Sequence, residues 1–395
     1  MLTVATGWTC GRRAVLIGAV CAVVSVTCAV FARGESDSLR EELLCGMDLI
    51  YDCDIRGGEE VFDRIIDREP DNPAPYIYKA MAYLSLPPRE TGGPPLIDEG
   101  LVEELLLTGT RLTDEYPWED EDRGRRELLS ATGFSLLAQL YQAQRRYVPA
   151  AGAALKAKEH VDEAFALTPE DPDVLYARGL LFYGLATMPD PARSLLSLLQ
   201  MRGDKDEGLR LMSIAAEDGV YTTAGARMAL LFVLVNMEHD FNRAIPHGRA
   251  LLSAYPNNPE IYFPYAYALS MSGDFDGALA VAAKLKGGID RGLPYFDDAI
   301  VPRYHHLVGK IYMDMGEYDR AIEAFEEALT VTDVNYEWVR ALAIARMGMI
   351  EDIRGNREAA VAYYTRVIDE DIPGVGLLLS ERFLEEAYDG TNEFE

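Results

Sequence analysis

The sequence is poor in the residues that build reactive centres. Its 395 residues include five cysteines and five histidines. No CxxC pair and no Cys/His metal spacing occurs. Cys10, Cys21 and Cys28 lie in or beside an apolar N-terminal segment, which leaves Cys45 and Cys53 beyond it. On one continuous helix those two would stand roughly 12 Å apart, too far for a disulfide. Free thiols are therefore the default, and a turn between the two would change that geometry. His160, His239 and His247 are isolated. His305 and His306 are adjacent, so on a helix they point about 100° apart and cannot share a metal. There is no HExxH, no GxSxG and no phosphate-binding glycine loop. Acid pairs such as Glu41-Glu42 and Glu326-Glu327 carry no catalytic spacing. An enzyme is not expected, nor a metal or cofactor.

Basic residues are also short, with 37 Lys+Arg against 65 Asp+Glu and a formal net charge of -28. Such a surface repels phosphates and anionic headgroups, which argues against direct nucleic-acid binding. The excess acid either attracts a basic partner or serves solubility alone.

Charge is absent altogether from Ala14 to Ala32, inside RRAVLIGAVCAVVSVTCAVFAR (12–33). This run is long enough to span a bilayer core as a helix. Val30-Phe31-Ala32 offers a small-residue cleavage site, so a cleaved signal peptide and a retained anchor both stay open. Val20 before Cys21 and Thr27 before Cys28 fit lipidation poorly. Arg12 and Arg13 favour a cytoplasmic N-terminus, with the rest outside the inner membrane. The expected location is thus a bacterial cell envelope, with membrane contact through residues 1–38.

Strand-like alternation is missing too. Beyond residue 38 the chain alternates amphipathic helical stretches with short breaks. Three breaks share one pattern: Pro70-Asp71-Asn72-Pro73, Pro169-Glu170-Asp171-Pro172 and Pro256-Asn257-Asn258-Pro259. The first proline ends a helix, the Asp or Asn caps the next, and the second proline suits its first turn. A second pattern marks a turn inside each hairpin: Gly203-Asp204, Gly273-Asp274, Gly316-Glu317 and Gly355-Asn356. Glycine there supplies a positive φ, and the polar residue starts the next helix. His239-Asp240 is a fifth copy without its glycine.

These marks resemble the tetratricopeptide repeat, a helix-turn-helix of about 34 residues. The best match runs from Pro302 to Asn335, with Gly309, Tyr312, Ala321, Phe325 and Ala328 at the family's small and aromatic places; Asp333 stands where the family has proline. Weaker copies carry Phe62, Ile65 and Pro70; Ala157, Ala164 and Pro169; Ala244, Leu251 and Pro256; and Gly348, Ala360 and Tyr364. The resemblance implies an all-α fold, an α-solenoid over 39–378. A capping helix and tail follow over 379–395, with the helix at Ser380–Tyr388. Spacing is irregular, and the Pro87–Pro95 stretch is an insertion.

In that family the first helix of each hairpin lines a groove. Carried over residue by residue, this selects Ile77, Met81 and Leu84; Tyr176, Leu180 and Tyr183; and Phe263 and Tyr267. In the best repeat it selects Arg303, His306 and Lys310, with Arg340 and Arg346 nearby. The implied site is an apolar groove with one basic end, suited to a protein or peptide partner that carries a carboxylate. The plainer reading is that these side chains neutralise acids such as Asp314 and Glu337, or pack between repeats. The resemblance implies a non-catalytic scaffold or adaptor. Its alternative is an accessory protein of a solute transporter, favoured by a closed ring with a lined pore.

Overall fold

The computed structural model describes residues 37–84, 98–188, 202–298, 300–330, 337–372 and 374–391. The Ala14–Ala32 run, with its signal or anchor expectation, and the Pro87–Pro95 insertion lie outside the described residues. Among the described residues every regular element is helical, and no helix is long and apolar enough to cross a membrane.

Among the described residues the helices form eight hairpins in chain order. These are α1 (Asp37–Tyr51) with α2 (Ile55–Arg68), α3 (Pro73–Leu84) with α4 (Glu99–Glu115), and α5 (Arg123–Ala143) with α6 (Tyr147–Leu167). Next come α7 (Pro172–Thr187) with α8 (Lys205–Asp218), α9 (Thr223–Asn236) with α10 (Phe241–Ala254), and α11 (Pro259–Met271) with α12 (Phe275–Asp290). Last are α13 (Ile300–Asp314) with α14 (Tyr318–Ala328) and α15 (Glu337–Ile353) with α16 (Arg357–Glu370). Helix α17 (Val375–Glu385) packs on α15 and α16. It begins and ends earlier than the sequence pattern placed it. First helices of neighbouring hairpins touch at α9–α11, α11–α13 and α13–α15, as stacked repeats require.

Local chemistry sets the boundaries. Pro73, Pro172 and Pro259 open their helices. Asn72 accepts from Ala74 N at 3.1 Å, Asp171 from Asp173 N at 2.9 Å, and Asn258 from Glu260 N at 3.1 Å. At the hairpin turns Gly273, Gly316 and Gly355 have φ of 85°, 77° and 75°. The residue after each donates back into the last helical turn: Asp274 N to Leu269 O, Glu317 N to Tyr312 O and Asn356 N to Glu351 O, each 2.8–2.9 Å. This is the Schellman closure. The same left-handed place is filled by His239 at 52°, and by Cys53 at 65° and Arg145 at 59° in two turns that lack a glycine signal. Helix α1 therefore ends before Cys53, yet both thiols are free. Cys45 is exposed and Cys53 buried, with desolvation and then Asp52 pushing its thiol up to about 12.

Within three hairpins a first-helix glycine lies under an aromatic ring sixteen residues on. A β-carbon on Gly46, Gly309 or Gly348 would come within 2.8 Å of Phe62, 2.6 Å of Phe325 or 2.6 Å of Tyr364. All three rings are 0% exposed. Burying each is worth on the order of 2–3 kcal/mol.

The array also closes on itself. Asp52, just past α1, accepts from Asn257 N and Nδ2 at 2.9 and 2.8 Å. Tyr255 Oη donates to Asp48 at 2.7 Å, and Asn258 Nδ2 to Tyr51 O at 2.9 Å. Helices α1–α10 thus complete one closed turn, and α11–α17 continue beyond it. Inside that turn the link between α8 and α9 folds inward. Buried Asp173 accepts from Val220 N, Thr222 N and Thr222 Oγ1, and the Tyr221 ring lies 6.1 Å from Tyr78.

At the far end Asp352 takes Arg357 Nη1 at 2.9 Å, Tyr364 Oη at 3.0 Å and Tyr388 N at 3.0 Å. Arg357 reaches on to the carbonyls of Phe383 and Leu384, which ties α17 down.

Candidate partner-binding surface

The structure separates the expected groove residues into two groups. Ile77, Met81, Tyr176, Leu180 and Tyr183 are buried, with Tyr176 and Tyr183 at 0% exposure. They pack between helices and offer no face to a partner in this conformation. Tyr183 Oη donates to Glu238 at 2.7 Å. Around Ile77 and Met81 the infolded α8–α9 link brings Tyr221 against Tyr78, whereas Tyr176, Leu180 and Tyr183 share a core cluster with Leu209 and Met212 of α8 and Leu230 and Leu234 of α9. Apart from Leu84, the expected groove residues outside the core lie on α11, α13 and α15, which carry the candidate surface.

On that surface Phe263 and Tyr267 of α11 are half-buried. Arg303 of α13 lies 3.9 Å over the Phe263 ring and grips Glu260 with both Nη atoms, at 2.6 and 2.8 Å. Bidentate pairing beside an aromatic face suits guanidinium geometry. Lys310 is buried, pairs with Asp314 and points toward the Tyr267 ring at 5.4 Å. Ser270 Oγ donates to the other oxygen of Asp314 at 2.7 Å. Arg346 of α15, also buried, donates Nη1 to His306 Nε2 at 2.7 Å.

His306 is held well below the usual histidine range, first by burial and then by Arg346, Lys310 and Arg303. It is neutral at pH 7. Because arginine only donates, Nε2 is the acceptor and Nδ1 carries the proton. The structure thus gathers Arg303, His306, Lys310 and Arg346. Arg340 stands apart, bound to Glu370 at 2.9 and 2.8 Å.

Both sequence readings meet here. The side chains do converge, and two of them also neutralise acids. Lys310 takes Asp314, whereas Arg303 takes Glu260 rather than Glu337. The cluster gathers three fixed cations beside Glu260 and Asp314, in a chain of net charge -28. Sequence reasoning missed Glu260 and Ser270. The missing signal was the repeat interval: Arg303 and Glu260 are 43 residues apart, as are Gly316 and Gly273.

Among the described residues no group of three or more His, Cys, Asp or Glu stands ready to hold a metal. Residues 302–332, which cover α13 from its third residue, its Schellman turn and α14, match the model of the tetratricopeptide repeat family. No curated protein matches the chain. A tetratricopeptide repeat within an all-helical stacked array is the architecture of a protein-interaction scaffold.

Proposed function

We propose that this protein is a non-catalytic scaffold of the bacterial cell envelope. It binds an extended protein segment along the first helices α11, α13 and α15. The observation that supports this most is the meeting of partly buried Phe263, Tyr267 and Arg303 on one face, with Lys310 and Arg346 buried beneath it. Aromatic rings supply contact area at small entropic cost, and a guanidinium stacked on one of them suits a chain-terminal or side-chain carboxylate. The uncharged run Ala14–Ala32 behind Arg12-Arg13 supports an N-terminal signal or anchor, with the array outside the inner membrane.

The test replaces Phe263 and Tyr267 with alanine in the full chain, leaving the ion pairs intact. Partners are compared after cross-linking in the native cell. Loss of the same envelope proteins from both single variants supports the reading. An unchanged partner set at wild-type melting temperature removes the face from consideration. Protease treatment of intact and permeabilised cells tests location separately, since an envelope array is cut once the outer barrier is breached.

A further inference from the structure

The closure of α1 onto the middle of the array creates a cleft that no element encloses alone. Leu44, Met47, Asp48 and Tyr51 form one wall, and Tyr221, Arg227, Leu251 and Tyr255 form the other. Its volume is about 210 Å³. That equals roughly seven waters of the liquid. Met47, Tyr51, Tyr221 and Leu251 are buried and make an apolar, aromatic floor.

Arg227 gives this cleft its chemistry. It is partly buried and spends Nε on the Ala216 carbonyl at 3.0 Å. No carboxylate among the described residues forms a salt bridge with it, although the chain holds 65 acids. Neighbouring His247 is lowered to about 4, first by burial and then by Arg227 and Arg243, so it adds no charge at pH 7. On the opposite wall Asp48 accepts from Tyr255 Oη through Oδ1 and is otherwise exposed. The cleft therefore offers one cation, one anion and an apolar floor.

We propose that this cleft is a binding site for a small α-amino acid with an apolar side chain. The ligand carboxylate meets the Arg227 guanidinium and its ammonium meets Asp48. Its side chain lies on Met47, Tyr51 and Leu251. Charge-assisted bonds at both ends select a zwitterion over an acid or an amine of the same shape. Because the walls come from α1 and α9–α10, the bound ligand bridges the closure and stabilises the closed turn by mass action. None of the α11–α15 residues of the proposed partner face lines the cleft, so the site stands or falls apart from the scaffold reading.

The experiment is titration calorimetry on the full chain with L-leucine, 4-methylpentanoate and 3-methylbutylamine. The last two lack the ammonium and the carboxylate respectively. Saturable binding is expected for L-leucine, with each analogue weaker by about tenfold or more, the size of one lost charge-assisted bond. Arg227→Gln and Asp48→Asn should each weaken L-leucine by about the same factor. Should Arg227→Gln misfold by circular dichroism, Ala254→Leu on the cleft rim blocks entry and leaves both charges in place. No saturable heat with L-leucine at millimolar concentration overturns the proposal. So does equal binding of 4-methylpentanoate, or L-leucine binding that survives both Arg227→Gln and Ala254→Leu.

Discussion

Asp52 and Asn257 join across 205 residues, with the carboxylate taking both the backbone N and the side-chain Nδ2 of the asparagine. The pair closes α1–α10 into one turn. Asp52→Ala should free α1 from the α10–α11 corner at a cost of about 1 kcal/mol. Amide hydrogen exchange would then rise in α1 and stay unchanged in α13–α16. Equal α1 protection in the variant would mean that Tyr255, Asn258 and the apolar contacts hold the closure alone.

Two helical glycines should respond in opposite directions to alanine. A β-carbon on Gly208 would stand 2.8 Å from the Gly179 carbonyl and 2.8 Å from Tyr183 N, both backbone atoms that cannot swing aside. Gly208→Ala should cost about 1–3 kcal/mol by overpacking. Gly152 in α6 meets nothing within 4 Å. Gly152→Ala should stabilise by about 0.5–1 kcal/mol through helix propensity and a less free unfolded chain. Urea melts of both variants decide, and a stabilised Gly208→Ala would refute the close approach of α7 and α8.

Arg145 holds the left-handed turn position between α5 and α6 at φ 59°, where four-carbon side chains gain nothing. Its side chain is exposed. Arg145→Gly should raise stability by up to about 1 kcal/mol by removing left-handed strain, the gain being trimmed by glycine entropy. A fall in melting temperature would show that the arginine contributes a contact of its own.

Asp173 links stability to pH. Burial, and then nearby Asp171, raise its carboxyl from 3.8 to about 6 against the hydrogen bonds from Thr222. A folded-state value above the unfolded one means that the folded chain holds the proton more tightly. This contribution is fully present below about pH 3.8 and is lost as pH rises through about 6. Its ceiling is about 3 kcal/mol. Asp173→Asn cannot titrate. The wild type should therefore lose stability relative to the variant between pH 4 and pH 6, measured by denaturant melts. A constant difference across that window would show that the four donors from Val220, Tyr221 and Thr222 hold the carboxylate ionised throughout.

Much of the fold was legible because its signals are local. A Pro-Asx-Pro break carries its own helix stop, cap and start within four residues, so α3, α7 and α11 begin where the sequence put them. The Schellman glycines Gly273, Gly316 and Gly355 are equally local, whereas Gly203, expected in the same role, does not take a positive φ. The turns at Cys53 and Arg145 were not legible, since a non-glycine residue in the left-handed region leaves no mark; tertiary packing of the hairpin holds it there. In the candidate site, Arg303, His306, Lys310 and Arg346 were found because repeat position puts them on first helices. Asp314, one turn on from Lys310, was found with them, but Glu260 and Ser270 were not, because they come from the preceding repeat.

The amino-acid sequence alone determined an all-helical chain of hairpins and where several of its helices stop and start. These follow from backbone hydrogen bonding and side-chain volume within a few turns of helix. Only the tertiary structure decided that α1 returns to Asn257, that Tyr176 and Tyr183 are core, and that His306 is neutral. Each of those depends on the superhelical path, which sums small rotations over eight hairpins and brings together residues that no local signal connects.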